Sequence, residues 1–245
     1  MPVLSGRTVL VIGGSSGTGR GTARAVAARG GDVVVTSRSA DRLHAAVSEV
    51  LDGLVPLDGA RQLGQVTAVS CDLADETSVR AAVAAPDRLD HLVLTAKPGR
   101  GATGRSFFDA AFWGSQVAVA AAGERLPSDG SVLLASGGLA ARPTAGQWSV
   151  TCAFAAVEAL ARAMAVELAP RRVNCVRLGL FDTATWDHLP VEERVRALRE
   201  RSAQLPAGRP GTEDDFGDFA VGLLTAEYLT GQVIALDGGQ ALIGG

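Results

Sequence analysis

Apolar runs of five or six residues alternate along this chain with longer, alanine-rich runs. The apolar runs fall at residues 8–12, 32–36, 66–71, 91–95, 131–135, 172–177 and 232–236. Several are continuous rather than alternating, which marks strands covered on both faces, as in a parallel sheet. Helices are predicted over 18–29, 41–51, 76–84, 106–124, 150–168, 191–202 and 213–226. Strict strand-then-helix alternation predicts an α/β fold: a Rossmann-type, doubly wound parallel sheet of about seven strands with helices on both faces. In such a sheet, ligands bind outside the carboxyl ends of the strands, near the switch in strand order.

Nothing in the pattern divides the chain. Its 245 residues suit one domain over 1–245. With 47% hydrophobic and 20% charged residues, a large core is available and disorder is not expected. Residues 52–65 read as a loop with too much Leu and Val for a flexible tether. The segment 181–209 follows a strand and holds Trp186, His188 and a charged helix; it is expected to form a lid over the ligand cleft.

The net charge of −3 carries no basic stripe, which argues against nucleic acid as a partner. No polybasic cluster points to a membrane surface, and no apolar stretch of membrane-span length is expected. With a strand-like run beginning at Thr8, no signal peptide is expected. Cys71, Cys152 and Cys175 lie far apart in apolar segments and read as buried, reduced thiols. The expectation is a soluble, cytoplasmic protein.

After the first strand comes Gly13-Gly14-Ser15-Ser16-Gly17-Thr18-Gly19, then an alanine-rich helix. Gly lets the backbone turn sharply and approach a pyrophosphate closely. The helix start adds free N–H groups and the positive dipole end. A glycine pattern alone is weak, but between a first strand and a helix it is a strong dinucleotide signal, and a merely tight turn is the lesser reading. The second strand ends Val35-Thr36-Ser37-Arg38. An NAD site carries Asp or Glu there for the ribose 2′-hydroxyl. This chain has no acid, and Arg38 stands where a 2′-phosphate would lie, so NADP(H) is expected in preference to NAD(H). The competing reading of Arg38 is a solvated loop residue. Asp72 and Leu73, after the third strand, fit an adenine contact.

These residues, with several later motifs, resemble the short-chain dehydrogenases/reductases over essentially the whole chain. The glycine loop is similar to that family's T-G-x-x-x-G-x-G, with Ile12 in place of the Thr. Asp72-Leu73 resembles its adenine-contact pair. Glu167-Leu168-Ala169-Pro170 with Arg172-Val173-Asn174 resembles its E-L-A-P…R-V-N stretch. Leu178-Gly179 stands where Pro-Gly is usual, and Thr183 matches a Thr that contacts the nicotinamide carboxamide. Thr230-Gly231-Gln232 and Asp237-Gly238-Gly239 resemble the closing T-G-Q…D-G-G. The resemblance implies that Gly13, Ser15, Ser16, Gly17, Thr18, Gly19, Ser37, Arg38, Asp72, Leu73 and Thr183 bind the cofactor. It also implies that the helix over 150–168 packs on a second subunit, in a homodimer or homotetramer. That helix is alanine-rich on nearly all sides and reads as buried.

The same resemblance exposes a gap. The family's Tyr gives the proton, a Lys four residues later lowers the phenol's pKa, a Ser positions the carbonyl oxygen and an Asn supports a water relay. This chain has one Tyr, Tyr228, and one Lys, Lys97, which cannot form Tyr-x-x-x-Lys in any register. Counting from the matched motifs places Val150 at the Tyr position, Phe154 at the Lys, Gly137 at the Ser and Ala111 at the Asn; a slip of one residue would restore Ser136. The family's N-N-A-G reads Leu94-Thr95-Ala96-Lys97. No catalytic residue is therefore assigned.

Losing a general acid slows catalysis about 10²–10⁴-fold. Positioning alone still contributes roughly 7–11 kcal/mol in well-oriented reactions. A substrate whose acceptor carbon needs no oxygen protonation, such as an iminium ion, remains open to hydride.

Substitutes are few. His188 with Asp187 would reach down from the lid, although a solvated pair is the commoner case. His44 and His91 are expected far from the cleft. Lys97 suits either the cofactor's ribose and phosphates or plain surface. Ser136, Thr151 and Cys152 read more simply as core or backbone-bonded residues. Trp148, Trp113, Phe112 and Phe154 would build an apolar pocket or ordinary helix packing. The leading reading is an NADP(H)-binding oxidoreductase with non-standard or substrate-assisted hydride transfer, acting on a small molecule of unknown identity. A catalytically silent NADP-binding pseudoenzyme that regulates or scaffolds an active partner is the alternative. A non-redox lyase or isomerase is the third.

Overall fold

The computed structural model describes residues 4–98 and 102–243. Among these residues seven strands form one sheet: β1 (Thr8–Ile12), β2 (Asp32–Ser37), β3 (Val66–Ser70), β4 (His91–Leu94), β5 (Ser131–Gly137), β6 (Arg172–Leu178) and β7 (Val233–Leu236). Their order is β3-β2-β1-β4-β5-β6-β7, and every pairing is parallel. The order reverses between β1 and β4, which opens a crevice at their carboxyl ends. The Rossmann-type, doubly wound sheet predicted from the alternation is the one observed.

Among the described residues, eight helices cover the two faces: α1 (Gly17–Ala28), α2 (Ala40–Leu51), α3 (Glu76–Ala84), α4 (Gly104–Phe108), α5 (Gly114–Gly123), α6 (Trp148–Glu167), α7 (Val191–Ser202) and α8 (Glu213–Thr225). Successive strand residues point to opposite faces and so feed two cores. Leu10 and Ile12 of β1 join α3, α5 and α6, whereas Val9 and Val11 join α1, α2 and α8. Caps follow the sequence at two helix starts. Asp75 accepts the Thr77 N–H at 2.9 Å to open α3, and Thr212 with Asp215 forms a capping box on α8.

Three expectations need correction. The helix predicted over 106–124 is interrupted by a π-helical turn, Asp109–Trp113, between α4 and α5. Periodicity cannot show one extra residue in a turn, and such turns recur at functional sites. The second concerns α6, which is not buried all round. Ala153, Val157, Leu160, Ala161 and Met164 face the core, while Trp148 is 70% and Val166 79% exposed and Cys152 is exposed. Alanine on every side let the sequence look buried, but a single chain supplies a partner for one side only.

Third, α6 is apolar and long enough to cross a membrane by length and composition, contrary to the expectation of no such stretch. Its inner side packs in the core and holds the ion-paired Glu158, which is how a core helix packs. The other two cysteines are buried as expected. Burial pushes the Cys71 thiol up to about 11 and the Cys175 thiol up to about 12.

Candidate functional site

The glycine loop turns where β1 ends. Gly13 has φ +94°, and its N–H donates to Thr36 Oγ1 at 3.1 Å. A Cβ on Gly19 would lie 2.1 Å from the Gly13 carbonyl oxygen, so only glycine lets α1 start this close to the turn. Ser16 stands at the N-cap of α1 in extended conformation, and its hydroxyl does not cap the helix. The first-turn N–H groups of Gly17, Thr18 and Gly19 therefore open toward a ligand rather than toward a side-chain cap. Thr183 lies against this loop: a Cβ built on Gly17 would be 3.4 Å from Thr183 Cβ.

At the neighbouring strand end, Ser37 is buried and accepts the Ser39 N–H at 3.4 Å. Arg38 is exposed and forms no ion pair among the described residues. Arg42, in the first turn of α2, is likewise exposed and without an ion pair among them. Sequence reading missed Arg42, although its place one helical turn beyond Arg38 was a usable signal. It lines a cavity of ≈ 340 Å³ with Ser15, Ser16 and Gly17 of the loop and Asp187 and Arg194 of the following segment. Asp72 is exposed at the end of β3, where its Oδ1 accepts the Ala74 N–H at 3.0 Å. Leu73 turns its side chain into the core beneath Gly114, so only its backbone faces the edge. All the cofactor-binding candidates thus sit on the carboxyl edge of the sheet around β1, β2 and β3 or in the segment that covers it.

The segment after β6 folds over the loop. A 3-10 turn, Ala184–Trp186, precedes α7, and Arg194 bridges Asp182 at 2.6 Å and Asp187 at 2.5 Å. Asp187 is therefore paired with Arg194 rather than His188. His188 is exposed, with Nδ1 2.9 Å from the Thr185 carbonyl oxygen. His91 lies at the opposite, amino end of β4, buried, with Nδ1 2.8 Å from Ser131 Oγ. Burial lowers its pKa to about 4. His44 is exposed on α2.

The second half of the crevice lies between the carboxyl ends of β4 and β5. A cavity of ≈ 10 Å³, room for about one water, is lined by Thr95, Lys97, Ala111, Ser115, Ser136 and Phe154 among others. Phe154 reaches across to β5: a Cβ on Gly137 would lie 2.7 Å from its Cε2. The ring also meets Phe107 edge-on, with centroids 5.8 Å apart. Phe112 stacks edge-on with Trp113 at 4.9 Å, and Trp113 and Trp148 are mostly exposed, so these three do not line this cavity. Ala111 lies within the π-helical turn. Thr151 Oγ1 is buried without a hydrogen-bond partner among the described residues.

Behind the cavity lies a polar cluster that sequence reading did not anticipate. Glu158 on α6 is buried and takes two bonds from Arg177 of β6, at 2.6 and 2.8 Å. The Ser136 hydroxyl donates to the same carboxylate at 2.8 Å. Glu158 stands one turn beyond Phe154, on the inner face of an otherwise alanine-rich helix; a lone acid at a core position was the one available signal.

A seven-stranded, doubly wound parallel sheet with a glycine loop opening onto a helix start defines a dinucleotide-binding Rossmann protein. The chain belongs to the short-chain dehydrogenase/reductase family, whose members bind a nicotinamide cofactor. Residues 13–241 match the family model described as enoyl-(acyl carrier protein) reductase. It is 29% identical over 256 residues to the (2S)-[(R)-hydroxy(phenyl)methyl]succinyl-CoA dehydrogenase subunit BbsD of Thauera aromatica, covering 99% of each chain. In fold it is similar to the MalC reductase/Diels-Alderase of Malbranchea aurantiaca, with TM-score 0.86, 23% identity and 99% of each chain covered. The Pseudomonas aeruginosa RhlG/NADP active-site complex aligns with TM-score 0.81 and 25% identity over 97% of this chain and 98% of that one.

Proposed function

We propose that this protein is an NADP(H)-binding short-chain dehydrogenase/reductase whose hydride transfer runs without a Tyr-x-x-x-Lys pair. The observation that carries the cofactor reading is Arg38, an exposed guanidinium without an ion pair among the described residues, standing at the end of β2 where no acid is present. Arg42 adds a second such cation in the next turn. The glycine loop fits the pyrophosphate, because Gly13 and Gly19 leave no room for side chains and the α1 start has no side-chain cap. When bound, the reduced nicotinamide would supply a hydride.

The chain's own residues have separate tasks in this reading. Ser15, Ser16, Gly17 and Thr18 hold phosphate oxygens, Ser37 and Arg38 hold the 2′-phosphate, and Asp72 and the Leu73 backbone hold the adenine. Thr183, already against Gly17, holds the carboxamide end, and the segment 181–209 acts as a lid that excludes water. The reading includes a small-molecule substrate and a homo-oligomer in the cytoplasm. A silent, regulatory NADP-binding protein is the second reading, and one observation favours it: the Phe154 ring closes on Gly137 and leaves a cavity the size of one water.

Calorimetric titration with NADPH and NADH tests the proposal. NADPH is expected to bind tighter. Arg38→Asp should weaken NADPH by about 10–100-fold, the worth of a charge-assisted phosphate contact, and reverse the preference. Equal affinity for the two cofactors in the parent protein refutes the role given to Arg38.

A further inference from the structure

Among the described residues, four polar side chains line the cavity between the ends of β4 and β5: Thr95, Lys97, Ser115 and Ser136. Three of them have already placed their protons. Thr95 Oγ1 donates to the Ile12 carbonyl at 3.4 Å, Ser115 Oγ to the Ala111 carbonyl at 2.6 Å, and Ser136 Oγ to Glu158 at 2.8 Å. Toward the cavity each hydroxyl then offers lone pairs only. Lys97 differs: it forms no ion pair or hydrogen bond among the described residues. The residue as a whole is exposed at the cavity, and desolvation pushes its pKa down. Among the described residues no carboxylate lines the cavity, and Glu158 behind it is committed to Arg177. Among the described residues the cavity thus contains one free acid, and that acid is a cation.

We propose that the Lys97 ammonium is the proton donor of this site, paired with the oxygen of a neutral carbonyl substrate, either a simple ketone or a conjugated enone. This rests on the hydride-transfer reading above. The reduced nicotinamide, when bound, would supply a hydride that forms the C–H bond at the acceptor carbon. The π pair moves onto oxygen, which takes a proton from Lys97 Nζ. The neutral amine then regains a proton from cleft water. A positive charge in the cavity favours an acceptor that builds negative charge on oxygen and opposes a cationic one such as an iminium ion. It also explains how the site dispenses with a phenol: an ammonium is acidic enough to protonate an alkoxide or enolate without help from a second residue.

Lys97 is the only lysine in the chain, which makes it directly observable. Reductive ¹³C-methylation labels it and the terminal amine alone, and Lys97→Arg assigns the signal. The experiment titrates that signal with NADPH, then adds cyclohexanone or 2-cyclohexenone. The expected result is a pKa below the usual lysine value of about 10.4 and a further shift when a carbonyl probe joins the cofactor. Whichever probe shifts it identifies the acceptor class. Lys97→Met should lower turnover of that probe about 10²-fold or more. In the parent protein, turnover should fall as pH rises through the measured pKa.

NADPH binding with a signal that neither carbonyl moves overturns the proton-donor role alone. A full shift with cofactor alone, unchanged by either probe, overturns it as well and makes Lys97 a cofactor clamp. Absence of NADPH binding by calorimetry overturns the hydride-transfer reading and this one with it.

Discussion

Phe154 and Gly137 can be tested as a pair. Gly137 has φ −134° and ψ 160°, extended backbone that any residue adopts, so nothing local requires glycine there. The obstacle is the ring: a Cβ would lie 2.7, 3.1 and 3.3 Å from Phe154 Cε2, Cδ2 and Cζ. Ordinary carbon contacts need about 3.5–4.0 Å, so the ring must withdraw by close to an ångström and disturb its edge-on contact with Phe107. Overpacking of this kind costs about 1–3 kcal/mol. Phe154 is only half-buried and has room to give, which places Gly137→Ser near the lower end, about 1–2 kcal/mol. In a Phe154→Ala background the obstacle is gone and the same change should be close to neutral. A double-mutant cycle by thermal unfolding should therefore show a coupling of about 1–2 kcal/mol. In a domain of this size that is roughly 2–8 °C in Tm between the two backgrounds. An equal loss from Gly137→Ser with and without the ring would refute the reasoning and remove Phe154 from the end of β5. The result bears on function, because it decides whether a hydroxyl can be returned to this position without first removing the ring.

Two other outcomes follow from the geometry. His91, with its pKa lowered by burial from 6.5 to about 4, takes up protons more readily unfolded than folded; stability should be full above pH 6.5 and fall as pH drops toward 4, and urea melts across that range should show a smaller loss in His91→Gln. The exposed side of α6 should be covered by a second copy of the chain, so Val166→Glu should lower the mass seen by analytical ultracentrifugation, while an unchanged mass would refute that assembly.

The parts of the fold written in periodicity were legible in the sequence. Thr8–Ile12, Glu76–Ala84 and Val191–Ser202 form over the residues predicted, because each is bounded by a turn or cap that the chain spells out. The glycine loop was equally plain from its spacing after the first strand, although the close approach of Ala96 at the end of β4, which also bars a side chain at Gly13, was not. Contacts between elements far apart in sequence were not legible. Arg177 meets Glu158 only because β6 lies beside β5 under α6, and Phe154 fills the space beside Gly137 only because the two elements pack there. The π-helical turn at Asp109–Trp113 and the bare side of α6 were hidden for a related reason: composition does not record which side of a helix meets a neighbour. His188 and Asp187, adjacent in sequence, turn to different partners for want of any local rule joining them.

The covering segment closes on itself at its root. The Asp182 N–H donates to the Gly211 carbonyl at 2.8 Å, and the Gly211 N–H donates to the Leu180 carbonyl at 2.9 Å, so two chain positions about thirty residues apart share one backbone-bonded neck. Arg194 clasps Asp182 and Asp187, the Trp186 indole donates to the Phe181 carbonyl, and Arg201 stacks over that indole at 5.0 Å. The returning limb is fastened again where the Ala207 N–H donates to the Gly238 carbonyl at 3.0 Å. A flap built this way cannot peel from one end like a fraying strand. It must swing as a single stiff piece about its neck, so amide exchange across 182–206 should share one opening rate rather than a gradient.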